Sequence, residues 1–157
     1  MQIRPGQAAD RDSLHDLVQT VFQEEERPVA VELIDAAVAG SDDYCLLVAI
    51  DVAAAPSGLG GYICYGPTPM TAGTYDLYWI ASHPRARGLG VARALVRAME
   101  RELEAAQATA IRVETEDGPE YVAARRLYEG LDYPAVAHLQ DFYRPGDGLI
   151  LYYKRLV

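Results

Sequence analysis

Residues 80–96 constrain the fold of this chain more than any other segment. An apolar, strand-like run ends at Pro84, and a loop rich in arginine and glycine follows it. The next residues form an amphipathic pattern in which Val91, Leu95 and Met99 fall four positions apart, as they do on one side of a helix. The segment therefore predicts a strand–loop–helix unit within a mixed α/β fold.

The loop of this unit has the properties of a phosphate-binding site. The first amides of a helix lack partners inside it, and the helix dipole adds partial positive charge there. Gly88 and Gly90 carry no side chains that would cover those amides, while Arg85 and Arg87 bring two cations to the same place. We therefore expect the loop to bind a phosphate ligand, with room for more than one phosphate.

Other glycine-rich phosphate motifs fit this sequence less well. A dinucleotide fingerprint needs a third glycine where this chain has Arg93, and it usually follows the first strand. A P-loop needs a lysine before serine or threonine, but the only lysine is Lys154. The remaining alternative is a plain tight turn with solvated arginines.

Two motifs resemble those of the GNAT superfamily of N-acetyltransferases. Arg85-x-x-Gly88-x-Gly90 is similar to its acetyl-coenzyme A signature, and residues 124–133 resemble its Ala-x-x-Leu-Tyr segment. They lie about 40 residues apart in the family's order. Tyr121 departs from the pattern, because an asparagine often occupies that position, and Asp132 replaces the usual glycine.

The resemblance implies that acetyl-coenzyme A is the donor, while the two cysteines, both in apolar runs, argue against a metal site. It places the pantetheine arm along the strand before the loop, with a backbone amide polarising the thioester carbonyl. Carried over to this chain, the donor-binding residues are Ile80, Ala81, Ser82, Arg85, Arg87, Gly88, Leu89, Gly90, Val91 and Ala92.

Apolar periodicity predicts one domain over residues 1–157. The pattern gives the order β-α-α-β-β-β-α-β-α-β-β, hence an α/β fold with a mixed sheet and helices on both faces. No linker or repeat interrupts this order. The same arrangement is implied by the GNAT resemblance.

Amine acetylation needs an acid for the leaving thiolate and a base for the attacking ammonium. Ala124, Leu127 and Leu131 form an inward helical stripe that includes Tyr128, the tyrosine that the resemblance brings near the coenzyme sulfur. Strand alternation would put Asp76 on one face with Tyr78, Ile80 and Ser82, which makes it a candidate base. Glu114 on the next strand is a rival, and arginines are alternative partners for both carboxylates.

The charge pattern indicates an anionic donor and a cationic acceptor. The net charge is −9, from 23 acidic and 14 basic residues, and argues against nucleic-acid and membrane partners. Acidic residues concentrate between Glu24 and Asp43, whereas residues 85–101 are basic. For the acceptor, a primary amine of a small molecule or peptide, we expect contacts from Glu24, Glu25, Tyr78 and Phe142.

Some choices remain open from sequence alone. The chain lacks a signal-peptide pattern, which favours the cytoplasm, and both Cys45 and Cys64 lie in apolar runs that predict buried free thiols. Monomer and homodimer are both compatible with the sequence. The alternatives to an enzyme are a non-catalytic acyl-coenzyme A sensor and a nucleotide-binding interaction domain.

Overall fold

A single seven-stranded mixed sheet organises the protein, in a computed structural model that describes residues 1–157. The strands are β1 (Gln2–Pro5), β2 (Cys45–Ile50), β3 (Gly61–Pro67), β4 (Thr74–Ser82), β5 (Ala110–Glu116), β6 (Ala135–Arg144) and β7 (Asp147–Arg155). Their spatial order is β1-β2-β3-β4-β5-β7-β6. Only β4 and β5 pair in parallel, and every other neighbouring pair is antiparallel.

Four helices complete the order of elements that the sequence predicts. They are α1 (Arg11–Val21), α2 (Arg27–Val38), α3 (Val91–Ala105) and α4 (Val122–Glu129). The predicted mixed α/β class is confirmed. Helix α4 begins only at Val122, because Pro119 first directs the chain through a 3-10 turn, Pro119–Tyr121.

The sheet separates two hydrophobic layers. On one face, α3 packs over the strands through Leu95 and Met99, which are fully buried as their four-residue spacing predicts. On the other face, α1 and α2 pack through Leu14 and Ile34, which are also fully buried. Helices on both faces bury most of β2 and β3, whereas β4 and β5 stay partly exposed.

A β-bulge interrupts β4 halfway along its length. Cys64 pairs with Trp79 and Tyr65 pairs with Leu77, so Tyr78 has no residue opposite it on β3. A bulge inserts one residue into a strand, and it therefore reverses the alternation of side chains beyond it. Both Tyr78 and Trp79 pack toward α1 and α2.

This bulge overturns the prediction that four residues of β4 share a face. Asp76 and Tyr78 lie on the α1–α2 side, but Ile80 packs into the opposite layer with α3. Ala81 faces the α1–α2 layer, and alternation places its neighbour Ser82 on the α3 side with Ile80. Strict alternation failed because no sequence signal marks the inserted residue.

The cysteine prediction is half right. Cys64 is fully buried, but Cys45 is exposed at the start of β2. Both thiols are free. None of the helices is both long and apolar enough to cross a membrane.

Candidate active site

The central feature of the site is an opening between β4 and β5. The two strands pair from Thr74 with Ala110 as far as Leu77 with Val113, and the ladder ends there. β4 continues to Ser82 and stays paired with β3. The bulge at Tyr78 directly follows Leu77, the last residue of β4 that pairs with β5. Because a bulge bends the strand that contains it, it accounts for the separation of the two strands.

Backbone amides of β4 point into this opening. The His83 amide donates to the Gly60 carbonyl at 2.8 Å, which fixes the alternation of donors along this antiparallel edge. The amide of Ala81 therefore points to β3, while those of Ile80 and Ser82 point toward the gap. They are available to an extended ligand or to a carbonyl oxygen. Three residues of β4 were expected to bind the donor. Ile80 and Ser82 point their amides into the opening, and Ala81 does not.

The loop after β4 holds a second set of free amides. His83 Nδ1 accepts the Arg85 amide at 3.2 Å and starts a 3-10 turn, Pro84–Ala86. Gly88 and Gly90 both have a φ of +78°, a conformation that L side chains rarely adopt, and Gly90 is the residue that caps α3. A Cβ at either glycine would meet no atom within 4 Å.

Four amides in this loop have no acceptor in the protein. They belong to Gly88, Gly90, Val91 and Ala92, and they surround the positive end of the α3 dipole. The side chains of Arg85, Arg87 and Leu89 are exposed around them. This arrangement fits a pyrophosphate, because converging backbone donors with two nearby cations form an anion site.

A cleft of about 950 Å³ runs from the opening across the sheet. Ile80 and Arg87 line its end near the loop, and Phe22 and Tyr78 line its middle. Five glutamates contribute to the wall: Glu25, Glu26, Glu114, Glu116 and Glu120. The other charged lining residues are Asp76, Asp147, Arg112 and Arg144. The cleft therefore combines a cationic end with a strongly acidic body.

Tyr128 reaches the cleft from α4. It is 3% exposed and packs against the rings of Tyr133 and Tyr152, with centroid distances of 5.8 and 5.5 Å. Its hydroxyl makes no hydrogen bond within the protein, although the residue lines the cleft. Burial, with a smaller contribution from Tyr152, raises the pKa of the Tyr128 phenol. The phenol therefore keeps its proton at neutral pH.

The two candidate bases named from sequence both lie near one arginine. Arg112 Nε donates to Asp76 Oδ1 at 2.6 Å, and Arg112 Nη1 lies 3.9 Å from Glu114 Oε1. The carboxylate of Asp76 is nearly buried, whereas the Glu114 side chain is 47% exposed. The Asp76 carboxylate is therefore occupied by an ion pair with Arg112, and breaking a nearly buried pair is costly.

Glu116 was not named from sequence, yet its environment suits a base better. It stands at the end of β5, lines the cleft and has no hydrogen-bonded side-chain partner. Burial raises the pKa of its carboxyl; the neighbouring charges of Asp147, Glu26 and Glu120 raise it further, and Arg144 opposes them. A signal was available, since Glu114 and Glu116 share one face of β5 by alternation.

The comparison with known families decides which class of protein this is. The sequence matches the acetyltransferase (GNAT) family over residues 11–133, which is most of the chain. This chain belongs to the GNAT family. Its fold and its acyltransferase class follow from that membership.

Solved GNAT structures share the whole fold. A GNAT-family protein from Desulfovibrio desulfuricans is 33% identical over 99% of both chains, with a TM-score of 0.90. An aminoglycoside 6'-N-acetyltransferase complexed with coenzyme A is 18% identical over 100% of this chain and 98% of its own, with a TM-score of 0.82. The ribosomal-protein-S18-alanine N-acetyltransferase of Escherichia coli is 17% identical over 99% and 93%, with a TM-score of 0.75. No curated protein sequence matches the chain.

The acceptor side of this GNAT domain differs from the sequence prediction in detail. Glu25 and Tyr78 line the cleft, whereas Glu24 and Phe142 do not, and Phe142 is 54% exposed. The adjacent Tyr143 lines the cleft instead. No group of three or more histidine, cysteine, aspartate or glutamate side chains is arranged to hold a metal ion.

Tyr121 forms a bridge that the sequence did not indicate. Its hydroxyl donates to Glu26 Oε1 at 3.2 Å and so joins the start of α4 to the segment between α1 and α2. Glu26 Oε2 accepts the amide of Gln23 at 2.9 Å, which fixes the carboxylate from the other side. Because Tyr121 and Glu26 are 95 positions apart, only the tertiary structure reveals their contact.

Proposed function

We propose that this protein transfers an acetyl group from acetyl-coenzyme A to a primary amine of a small molecule or peptide. The observation that carries the proposal is the opening between β4 and β5 beside the four free amides of the loop. It offers extended backbone donors next to an anion site, which matches a ligand with a pantetheine arm and a pyrophosphate. Acetyl-coenzyme A supplies an activated acetyl group as a thioester.

The proposed donor contacts divide between β4 and the loop. The amides of Ile80 and Ser82 are suited to the pantetheine arm and to the thioester carbonyl oxygen. The amides of Gly88, Gly90, Val91 and Ala92 are suited to the pyrophosphate, with Arg85 and Arg87 neutralising its charge. Ala81 and Leu89 contribute backbone rather than side-chain contacts in this proposal.

Glu116 is the residue that we assign as the base. An amine attacks only after it loses its proton, so a carboxylate or a water bound to it must accept that proton. The Glu116 carboxylate has no arginine in hydrogen-bonding contact, since Arg125 donates only to the backbone carbonyl of Glu116, and its raised pKa moves it toward the proton affinity that a base needs. Asp76, held by Arg112, is assigned a structural role, and Glu114 has a more exposed side chain.

Tyr128 is the residue that we assign as the acid. As the amine nitrogen forms its bond to the carbonyl carbon, the carbon–sulfur bond breaks and the sulfur keeps the electron pair. The Tyr128 hydroxyl would then donate its proton to that sulfur, the acylated nitrogen would release its excess proton to solvent, and the phenolate would recover a proton from solvent. The products are the N-acetylated amine and the free thiol.

The test is a thiol-release assay with acetyl-coenzyme A and a panel of primary amines. The proposal expects thiol release that requires both substrates and yields an acetylated amine by mass spectrometry. Binding of acetyl-coenzyme A without turnover of any amine would instead favour a non-catalytic sensor. Stabilisation by ATP or NAD, but not by acetyl-coenzyme A, would contradict the donor assignment.

A further inference from the structure

The acidic body of the cleft carries more negative charge than one reacting amine would need. Seven carboxylates line the cleft, against three arginines. Arg112 pairs with Asp76 and Arg144 pairs with Asp147, while Arg87 belongs to the donor loop. Most of the glutamates along the wall therefore lack a close cationic partner from the protein.

Two of these glutamates, Glu26 and Glu120, lie close to Tyr121. Tyr121 donates a hydrogen bond to Glu26 at 3.2 Å, and Glu120 is its immediate neighbour in the chain. The negative charges of Glu26, Glu116 and Glu120 also raise the pKa of the Tyr121 phenol, after burial as the largest cause. The charges of Glu26 and Glu120 also raise the pKa of Glu116, so Glu116 lies close to both glutamates. The group therefore forms one cluster beside the assigned base.

A separate feature marks the same cleft as a ligand site. Tyr121, at the end of the 3-10 turn, lines it together with Ala124 and Tyr128 of α4. Tyr128 is 3% exposed, and its hydroxyl faces the cleft without a hydrogen-bond partner in the protein. The hydroxyl stays accessible from the cleft, so a ligand or water there can satisfy it.

The chemistry of acetyl transfer explains why one amine does not account for this charge. The reacting nitrogen must be neutral when it attacks, so its own positive charge is lost before the step. A single base, Glu116, accounts for that proton. Glu26 and Glu120 would then remain beside an uncharged nitrogen, unless the acceptor carries another cation that keeps its charge.

We infer that Glu26 and Glu120, with Tyr121 as the positioning residue, form a subsite for a second, permanent positive charge on the acceptor. This inference rests on the proposed function and narrows it to dicationic primary amines. The shared chemistry is an amine to be acetylated with an ammonium or guanidinium a few bonds away. A free diamine and a peptide N-terminus followed by a basic side chain both provide it.

The first experiment compares matched acceptors on the wild-type protein. Diaminopropane, diaminobutane and diaminopentane are each measured against the alkylamine of the same length. A tripeptide Ala-Arg-Ala is measured against Ala-norleucine-Ala. We expect at least one dicationic acceptor to exceed its partner in kcat/KM by about tenfold, through KM, with the preference falling as salt is added. A preference among the diamines would identify a free diamine as the acceptor, and a preference for Ala-Arg-Ala would identify a peptide.

The second experiment changes the subsite. Glu26→Gln and Glu120→Gln should each reduce the preference for the dicationic acceptor by about threefold or more, and Tyr121→Phe should reduce it through KM rather than kcat. Glu104→Gln is the control, because Glu104 is an exposed carboxylate on α3 that does not line the cleft. The Glu104→Gln variant should prefer the dicationic acceptor as strongly as the wild type does.

Failure of the subsite and failure of the proposed function look different. Equal kcat/KM values for matched acceptors, with both acetylated, would overturn the subsite and leave acetyl transfer intact. If no amine is acetylated, calorimetric titration of each diamine and its matched alkylamine in the presence of coenzyme A still tests the subsite. Tighter binding of a diamine by the wild type than by Glu120→Gln would support it, and equal binding would overturn it.

Discussion

The two ends of the cleft are built in different ways. The proposed donor end consists mainly of backbone: amides of Ile80 and Ser82 on β4, and those of Gly88, Gly90, Val91 and Ala92 at the start of α3. The acceptor end consists of side chains from the α1–α2 segment, β4, β5, α4 and the β6–β7 hairpin. The residues of the donor end are close together in the chain, whereas the acceptor end joins residues as distant as Glu26 and Tyr121.

This difference teaches where specificity resides. A ligand common to a family is met by backbone groups, whose geometry depends on glycines and on where a strand ends, and hardly on other side chains. A ligand that varies is met by side chains, which change without disturbing the sheet. The loop and the Tyr128 segment resemble the family, and Tyr121 departs from it at the acceptor end.

The strongest test of the comparison is at Tyr128, where the two ends meet. Tyr128→Phe keeps the ring and removes the proposed acid. General acid catalysis contributes about 10²- to 10⁴-fold, so kcat should fall by that order while acetyl-coenzyme A affinity changes little. Steady-state and single-turnover kinetics would measure this.

The control for Tyr128→Phe is Tyr152→Phe. Tyr152 packs against Tyr128, but its hydroxyl donates to Glu129 at 3.2 Å and does not line the cleft. The Tyr152→Phe variant should lose some stability and retain turnover. Near wild-type turnover in folded Tyr128→Phe, with chemistry rate-limiting, would reduce Tyr128 to a packing residue.

The next test separates the backbone site from the rest of the cleft. Gly88→Glu adds a negative side chain in front of the free amides, and should abolish the stabilisation by acetyl-coenzyme A. That stabilisation is about 2.7 kcal/mol at a ligand concentration of 100 times Kd. Thermal unfolding with and without ligand measures it.

Gly40→Glu is the matched control for Gly88→Glu. Gly40 has a φ of +87° and open space around its Cβ position, so the backbone strain is similar, but it lies beyond α2 and outside the loop. This variant should keep the full ligand shift. A full shift in Gly88→Glu would place the phosphate site elsewhere.

The stability of the folded protein should depend on pH through Glu116, at the acceptor end. Because burial and the surrounding carboxylates raise the pKa of Glu116, the folded state holds that proton more tightly than the unfolded state. Ionisation of Glu116 therefore opposes folding, and stability is lost as pH rises from its ordinary value through the raised value. Glu116→Gln should be more stable than wild type at neutral pH.

Denaturant unfolding across pH measures this effect. The advantage of Glu116→Gln should vanish at acidic pH, where Glu116 is protonated in both states. Glu104→Gln, an exposed carboxylate outside the cleft, should show no such advantage at either pH. An equal midpoint for wild type and Glu116→Gln at neutral pH would mean that the acidic cluster does not strain the folded state.

The smallest expected effect concerns two adjacent exposed glutamates. Glu25 lines the cleft and Glu24 does not. Exposed charge pairs are worth about 0.2–1 kcal/mol, so Glu25→Lys should raise KM for the best amine only a few-fold, and less at high salt. Glu24→Lys is the control, and equal KM changes in both variants would show that only the overall charge matters.

The local features of the proposed donor end could be predicted from the sequence, and the long-range contacts of the proposed acceptor end could not. The glycines, the arginines and the inward stripe around Tyr128 could be read from spacing, because each depends on residues a few positions apart. The bulge at Tyr78 could not, since a bulge depends on how β3 and β4 pair. For the same reason, Ile80 was assigned to the wrong face.

The sequence by itself determined the order of elements, the mixed sheet and the glycine-containing loop at the start of α3. These follow from apolar periodicity, from glycine at positive φ and from the unpaired amides of a helix start, which are local properties. Only the tertiary structure decided that Asp76 is held by Arg112, that Glu116 has no such partner and that Tyr121 reaches Glu26. A charged side chain takes its role from the charges that folding brings beside it, and those lie far away in the chain.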